Sequence, residues 1–200
     1  HAAIVVSAGP SLAKNIDLLH RAVGRAVIIA VQTTLKPLLA RGIRPDFVTT
    51  LDFSDLSRRF FEGIDDFGGA TMVAEPKAAH EVIDTFRGQR GVAARRVVFL
   101  NNEFAQRCAG AELAGRSGLA AGSTVAHLSF YLAEHLGCDP IVFVGQDLGF
   151  TGAVYYTPGV TIHDAWRPEL GRFCSREQKE WERIVRHRPI LRRAVDVNGR

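Results

Sequence analysis

The residues best placed for chemistry stand where β-branched apolar runs break off at glycine. Ile4-Val5-Val6 runs into Ser7-Ala8-Gly9-Pro10-Ser11-Leu12, and Ile141-Val142-Phe143-Val144 runs into Gly145-Gln146-Asp147-Leu148-Gly149. Each run reads as a buried parallel strand that stops at a loop. In an open parallel sheet the carboxyl ends of the strands line one edge. Loops there without bulky side chains let a nucleotide or sugar phosphate approach backbone N–H groups. Gly9-Pro10-Ser11 places a tight turn and a helix start at that edge, and Gly122-Ser123-Thr124 offers a second helix start with two hydroxyls. Both also have a plainer reading as helix caps. The chain holds no Gly-x-Gly-x-x-Gly and no Gly-x-x-x-x-Gly-Lys-[Ser/Thr], so it fits neither the dinucleotide fingerprint nor the Walker loop.

Polar residues follow other strands at corresponding points. Gln32-Thr33 and Asp52 can read a base or a ribose; alternatively Thr33, or Asp52 with Ser54, caps the next helix. After the 140–145 strand comes the glycine-broken stretch Gly145 to Gly159, the most unusual in the chain. Asp147 there can hold a sugar hydroxyl, and the Tyr155 or Tyr156 hydroxyl can donate to a departing phosphate, unless one of the tyrosines simply packs. His163, next to Asp164, is the candidate general base, since a neighbouring carboxylate raises imidazole basicity. No metal site is expected: Asp52 and Asp55 are three apart, Asp65-Asp66 reads as a solvated loop, and a divalent cation needs several converging oxygens.

The elements that must position these residues follow from periodicity. Strands are expected at 3–7, 26–31, 46–51, 71–74, 96–100, 140–145 and 194–198. The first helix is capped by Ser11, carries Leu12, Ile16, Leu19 and Val23 on one face and stops at Gly24; the second runs through Leu35, Leu38 and Leu39 to Gly42. The longest follows Gly122-Ser123-Thr124, with Ser123 or Thr124 as cap, a stripe of Val125, Leu128, Ser129, Leu132 and Leu136, and His127 and His135 off the stripe. Residues 101–121, rich in Ala and Gly, read as a mobile loop, and 175–186 as a solvated amphipathic helix of mixed charge around Trp181. Alternating strands and helices imply an α/β fold: a three-layer, Rossmann-like arrangement whose mostly parallel sheet carries helices on both faces.

Composition bounds the rest. Two hundred residues suit one domain, and 46% hydrophobic with 23% charged residues is ordinary for a globular protein. No stretch approaches a membrane span, and Cys108, Cys138 and Cys174 lack paired metal-ligand spacing, which implies reduced thiols in a cytoplasm. The net charge of +4 is uneven: residues 167–200 hold ten Lys/Arg against five Asp/Glu. Such an excess can meet nucleic acid, acidic lipid or a phosphorylated ligand, but its mixed signs at helical spacing favour a solvated face, so neither a nucleic-acid nor a membrane partner is expected. The chain opens at His1 and closes on strand-like text, and is expected to be a fragment of a longer protein.

Four ordered motifs carry a resemblance that runs through nearly the whole chain. Val6-Ser7-Ala8-Gly9-Pro10-Ser11-Leu12, then Ile29-Ala30-Val31-Gln32-Thr33 with Gly42-Ile43-Arg44-Pro45-Asp46-Phe47-Val48 and Leu51-Asp52, then Gly122-Ser123-Thr124-Val125-Ala126-His127, then Cys138-Asp139-Pro140 through Leu148 resemble the central domain of motility accessory factor proteins, within the MptE-like family. Those proteins are flagellin glycosyltransferases handling nonulosonic acids such as pseudaminic or legionaminic acid, and their central domain is similar to bacterial sialyltransferases that use CMP-sugars. The resemblance implies that Gly9, Pro10, Ser11, Gln32, Thr33 and Asp52 line the nucleotide. It further implies that Gly122, Ser123 and Thr124 face phosphate or cytidine, and that Gly145, Gln146 and Asp147 with the tyrosines face the sugar. Two departures stand out: Gln32 occupies a place where that family commonly has Asp, and Ala153-Val154-Tyr155-Tyr156 replaces its usual Gly-Lys-Thr-His run.

The resemblance therefore implies one nucleotide-sugar-binding α/β domain over residues 1–200, transferring a nonulosonic sugar from a CMP-sugar to a protein Ser/Thr hydroxyl, flagellin above all, with no required cofactor. The broad family also includes archaeal 6-hydroxymethyl-7,8-dihydropterin pyrophosphokinases, which use ATP and magnesium. Their Asp-Leu-Asp-Gly stretch after the third strand is here Thr50-Leu51-Asp52-Phe53-Ser54. A non-catalytic nucleotide-binding module is the third alternative.

Overall fold

A computed structural model describes residues 1–87, 96–110, 118–186, 188–190, 192 and 195. Six strands, β1 (Ala3–Val6), β2 (Val27–Val31), β3 (Phe47–Thr50), β4 (Thr71–Ala74), β5 (Val97–Phe99) and β6 (Ile141–Val144), form one sheet in the order β5-β4-β3-β2-β1-β6. Every pairing is parallel, with Val5 opposite Ile29 on one side and Phe143 on the other. Six of the seven expected strands are thus present within a residue or two at each end. The seventh, at 194–198, lies outside the described residues except for Val195.

The four central strands are buried on both faces, as parallel sheets require. The edge strands β5 and β6 are half exposed: Val142 and Phe143, expected in a buried strand, are each 44% exposed because β6 has a neighbour on one side alone among the described residues. Alternate residues divide between two layers. Val6, Ile28 and Ala30 pack with Leu12, Ile16 and Leu19 of the first helical segment and with Leu38 of the second. On the same face Val48, Met72 and Ala74 meet Phe61, Phe67 and Phe86, whose rings cluster edge to face and stacked. The opposite face, with Ala3, Ile29 and Val73, is covered by Leu128, Leu132 and Ala133 of α5 (Val125–His135). Ser129 belongs to that stripe for a polar reason: its hydroxyl lies 2.7 Å from the Thr49 hydroxyl and donates to the Val125 carbonyl, which satisfies both groups inside the core.

Several local expectations need correction. The first helical segment is α1 (Leu12–Asn15) continued as a 3₁₀ turn (Ile16–Arg21), and the tighter winding carries Val23 out to 45% exposure. Leu136 likewise ends α5 in solvent, because it stands at the cap beyond the last residue that faces the sheet. The second helix, α2 (Leu35–Leu39), is short, and α3 (His80–Arg87) follows β4. Within 101–121 the chain forms α4 (Glu103–Ala109) rather than a loop throughout; the Asn102 side chain accepts the Ala105 N–H and donates to Glu75, while 111–117 lie outside the described residues. A seven-residue helix with one buried position shows no stripe in sequence.

After β6 the chain builds α6 (Thr161–Trp166) and α7 (Arg176–Val185). Ser175 caps α7, and the helix is amphipathic as expected, yet it is not simply a solvated face. Its buried residues are Ile184 and Glu180, while Trp181 is mostly exposed. Among the described residues no helix is long and apolar enough to cross a membrane. The three cysteines are free thiols, with Cys138 buried in the core.

Candidate functional site

The chain runs outward from β1 through β2 to β5, then crosses to the other side of β1 to lay down β6. The direction of winding reverses between β1 and β6, and at such a point the loops leaving two neighbouring strands diverge and open a crevice. A cleft of about 450 Å³ occupies that position. Ser7, Ala8 and Gly9 line it from β1, Gly145 to Phe150 from β6, Thr124 to Ala126 from the start of α5, Val31 and Thr33 from the end of β2, and Tyr155 and Tyr156 from beyond.

The two glycine corners are stitched together. The Gly9 N–H donates to the Gly145 carbonyl at 2.8 Å, the Ser7 N–H to the Val144 carbonyl at 2.8 Å, and the Ser7 hydroxyl to the Gln146 side-chain oxygen at 2.7 Å. Glycine is required at both corners. At Gly9 a Cβ would overlap the Asp147 carboxylate and stand 2.6 Å from the Gly145 carbonyl oxygen. At Gly145, with φ +70°, it would strike the Ser7 carbonyl oxygen and Leu12 Cβ.

Asp147 accepts from both the Ser11 N–H, at 3.1 Å, and the Ser11 hydroxyl, at 2.6 Å. The expected Ser11 cap is therefore corrected: Ser11 lies at the N-terminus of α1 in helical geometry and makes no side-chain cap bond, since its hydroxyl serves the β6 loop instead. The α5 start behaves as a cap through Thr124, whose hydroxyl accepts the His127 N–H at 3.3 Å. Ser123 is exposed, and its N–H donates to His127 Nδ1.

Of the expected site residues, Gly9, Thr33, Thr124, Gly145, Gln146, Asp147, Tyr155 and Tyr156 meet around the cleft, and Ser11 adjoins it through Asp147. Pro10, Gln32, Asp52, Gly122, Ser123 and His163 are not among the lining residues. Gln32 is 1% exposed, its amide donating to Asp52 and its carbonyl accepting the Thr50 hydroxyl at 2.6 Å, so it ties the ends of β2 and β3. Asp52 caps nothing; Ser54 does, through the Leu56 N–H. Neighbouring Thr34, buried, donates to the Val6 and Val31 carbonyls and closes the β1–β2 end.

The aromatic wall has its own support. Phe150 stacks on Tyr155, and Tyr155 meets Tyr156 edge-on at 4.5 Å between centroids. Burial, then the neighbouring Tyr155, pushes the Tyr156 hydroxyl up to about 12, so it stays a proton donor throughout the physiological range. The Tyr155 N–H donates to Glu180 Oε2 at 2.8 Å, Glu180 Oε1 meets His163 Nε2 at 2.9 Å, and Arg176 meets His163 Nδ1 at 3.1 Å. Burial and the Arg176 charge hold the His163 imidazole below its ordinary range despite Glu180. With Arg176 donating to Nδ1, the proton of the neutral ring lies on Nε2 and donates to Glu180. Both ring nitrogens are thus occupied away from the cleft. Glu180, the residue that sequence reasoning missed, has no signature in the chain beyond its place in a run of charges.

Among the described residues no group of three or more His, Cys, Asp or Glu side chains is placed to hold a metal ion. The single carboxylate at the β3 end, Asp52, is engaged by Gln32.

No curated protein sequence matches the chain. Among solved structures it is similar to a MAf glycosyltransferase from Magnetospirillum magneticum AMB-1, with a TM-score of 0.60 and 28% identity. The match covers 74% of this chain and 23% of that one, so the chain spans well under half of its neighbour. The family model for 6-hydroxymethylpterin diphosphokinase MptE-like proteins matches residues 1–153, which take in the whole sheet and both glycine corners. By that match the chain belongs to the MptE-like family.

Proposed function

We propose that the chain is the donor-binding domain of a glycosyltransferase that moves a nonulosonic sugar from a CMP-sugar to a Ser/Thr hydroxyl of a protein such as flagellin. The observation that carries this reading is the convergence of Gly9, Thr124, Asp147 and the two tyrosines on one cleft at the reversal point of a parallel sheet. The similarity to a MAf glycosyltransferase supports the reaction class. In this reading the glycine corners let the nucleotide approach the backbone, and Asp147 orients a sugar hydroxyl. Tyr156 donates to the phosphate as negative charge collects there while the glycosidic bond breaks. His163 is a positioning residue that braces the tyrosine wall through Glu180.

The family description keeps a pterin diphosphokinase in view. Calorimetry on the full-length protein separates the two readings, with CMP and a CMP-nonulosonic acid in one arm and ATP, magnesium and the hydroxymethylpterin in the other. Micromolar binding of CMP and no measurable binding of ATP with the pterin is the expected result. The reverse order overturns the glycosyltransferase reading, and CMP binding without any transfer marks a binding module.

A further inference from the structure

None of the described residues that line the cleft is a cation. Among the described residues that line it, Asp147 alone carries a formal charge, and that charge is negative. The phosphate of a CMP-sugar carries one negative charge and gains a second as the sugar departs, so a cation on a neighbouring element would offset Asp147 and favour the leaving group in a partly dry crevice. α7 supplies one. Its other cations near the fold are paired: Arg176 with His163, and Lys179 with Glu169 and Glu182. Arg183, on the same helix, has no carboxylate partner among the described residues; its guanidinium carbon instead sits 5.0 Å from the centre of the Tyr155 ring.

We propose that Arg183 is the cation of the donor site, delivered over Tyr155 by α7 to meet the phosphate of the bound nucleotide. This rests on the CMP-sugar reading above. Three features fit the role. Tyr155 and Tyr156 line the cleft, and Arg183, which is not itself a lining residue, lies directly against Tyr155, one side chain behind that wall. Of the groups acting on the buried Tyr156 hydroxyl after burial itself and Tyr155, Arg183 is the one that favours negative charge there, the field a departing phosphate requires. The helix that carries Arg183 is also pinned one turn earlier by Glu180, whose carboxylate holds the Tyr155 backbone, so Arg183 and the ring beneath it are fixed by the same anchor. A guanidinium stacked on an aromatic face keeps its N–H edge free for a phosphate.

The test compares CMP with cytidine, two probes that differ by the phosphate alone, in calorimetry on the full-length wild type, Arg183→Met and Arg183→Lys, with thermal melts run in parallel. Met keeps the aliphatic contact on Tyr155 without charge, and Lys restores charge without the planar fork. The wild type should bind CMP at least tenfold more tightly than cytidine. Arg183→Met should lose on the order of ten- to a hundredfold in CMP affinity with cytidine unchanged, and Arg183→Lys should recover part of the loss. If Arg183→Met keeps the full gap between CMP and cytidine, or weakens both ligands equally, the assignment of Arg183 is overturned while the donor reading stands. A wild type that binds neither ligand overturns both.

Discussion

The two sides of the cleft are built on different physics. On one side, the β1 and β6 corners are fixed by backbone: glycines that admit no side chain, and carbonyl and N–H groups that bond directly across the gap between strands. On the other, the tyrosine wall is held at a distance by a half-buried polar chain from Arg176 through His163 and Glu180 to the Tyr155 N–H. The corner is steric, with no room for a side chain at Gly9 or Gly145, whereas the wall is electrostatic and its strength depends on protonation. A site of this kind can keep its floor rigid and tune the wall that meets the leaving group.

Substitutions can break this contrast. Gly145→Ala has the largest expected cost, roughly 3 to 5 kcal/mol, because a positive φ and a clash with the Ser7 backbone act together, with no flexible atom to yield. Chemical denaturation measures it, and a loss under about 1 kcal/mol would mean that the corner can rearrange. Glu180→Ala should follow at roughly 2 to 4 kcal/mol, since it strands the Tyr155 N–H and the His163 N–H without an acceptor. Glu180→Gln, which retains one acceptor oxygen, should cost less. If the Ala variant is as stable as wild type, the wall is not braced in this way.

The wall should also answer to pH where the corner does not. The folded His163 ring binds its proton more weakly than an unfolded imidazole, so its contribution is complete above the ordinary imidazole value of 6.5 and is lost as pH falls below it. Replacing His163 with Gln should flatten the stability profile on that acid side. Tyr156 has the opposite sign: its contribution is complete below the ordinary value of 10 and is lost as pH rises through about 12. Denaturation midpoints of Tyr156→Phe across pH 9 to 12 check this. Smaller effects sharpen the corner. Ser11→Ala, removing the hydroxyl bond to Asp147, should cost about 1 kcal/mol and loosen CMP binding a few fold. Val23→Ser, at a position with an apolar side chain in solvent, should stay within about 0.5 kcal/mol by the same assay.

Much of the fold was legible because its signals are local. Runs such as Val27–Val31 can only be buried strands in a chain of this composition, and Gly42 or Gly137 after an apolar stripe ends a helix wherever the helix later packs. Glycine corners were legible for the same reason. The stretches read less well were those whose meaning lies in a partner far along the chain. Ser11 looked like a cap and serves Asp147, 136 residues away. Gln32 looked like a ligand contact and is a buried tie between strand ends. His163 beside Asp164 looked like a base, while the carboxylate that meets its ring is Glu180, 17 residues on and a helix away.

The amino-acid order thus settled, through backbone preference and burial alone, that this chain forms a parallel α/β sheet whose first and last described strands lead into glycine-bearing corners. Which polar groups then face one another was settled only by packing. Hydrogen bonds and charges act over a few ångströms of space whatever their separation in sequence, so a carboxylate in a charged helix could become the anchor of the cleft only once α7 had docked.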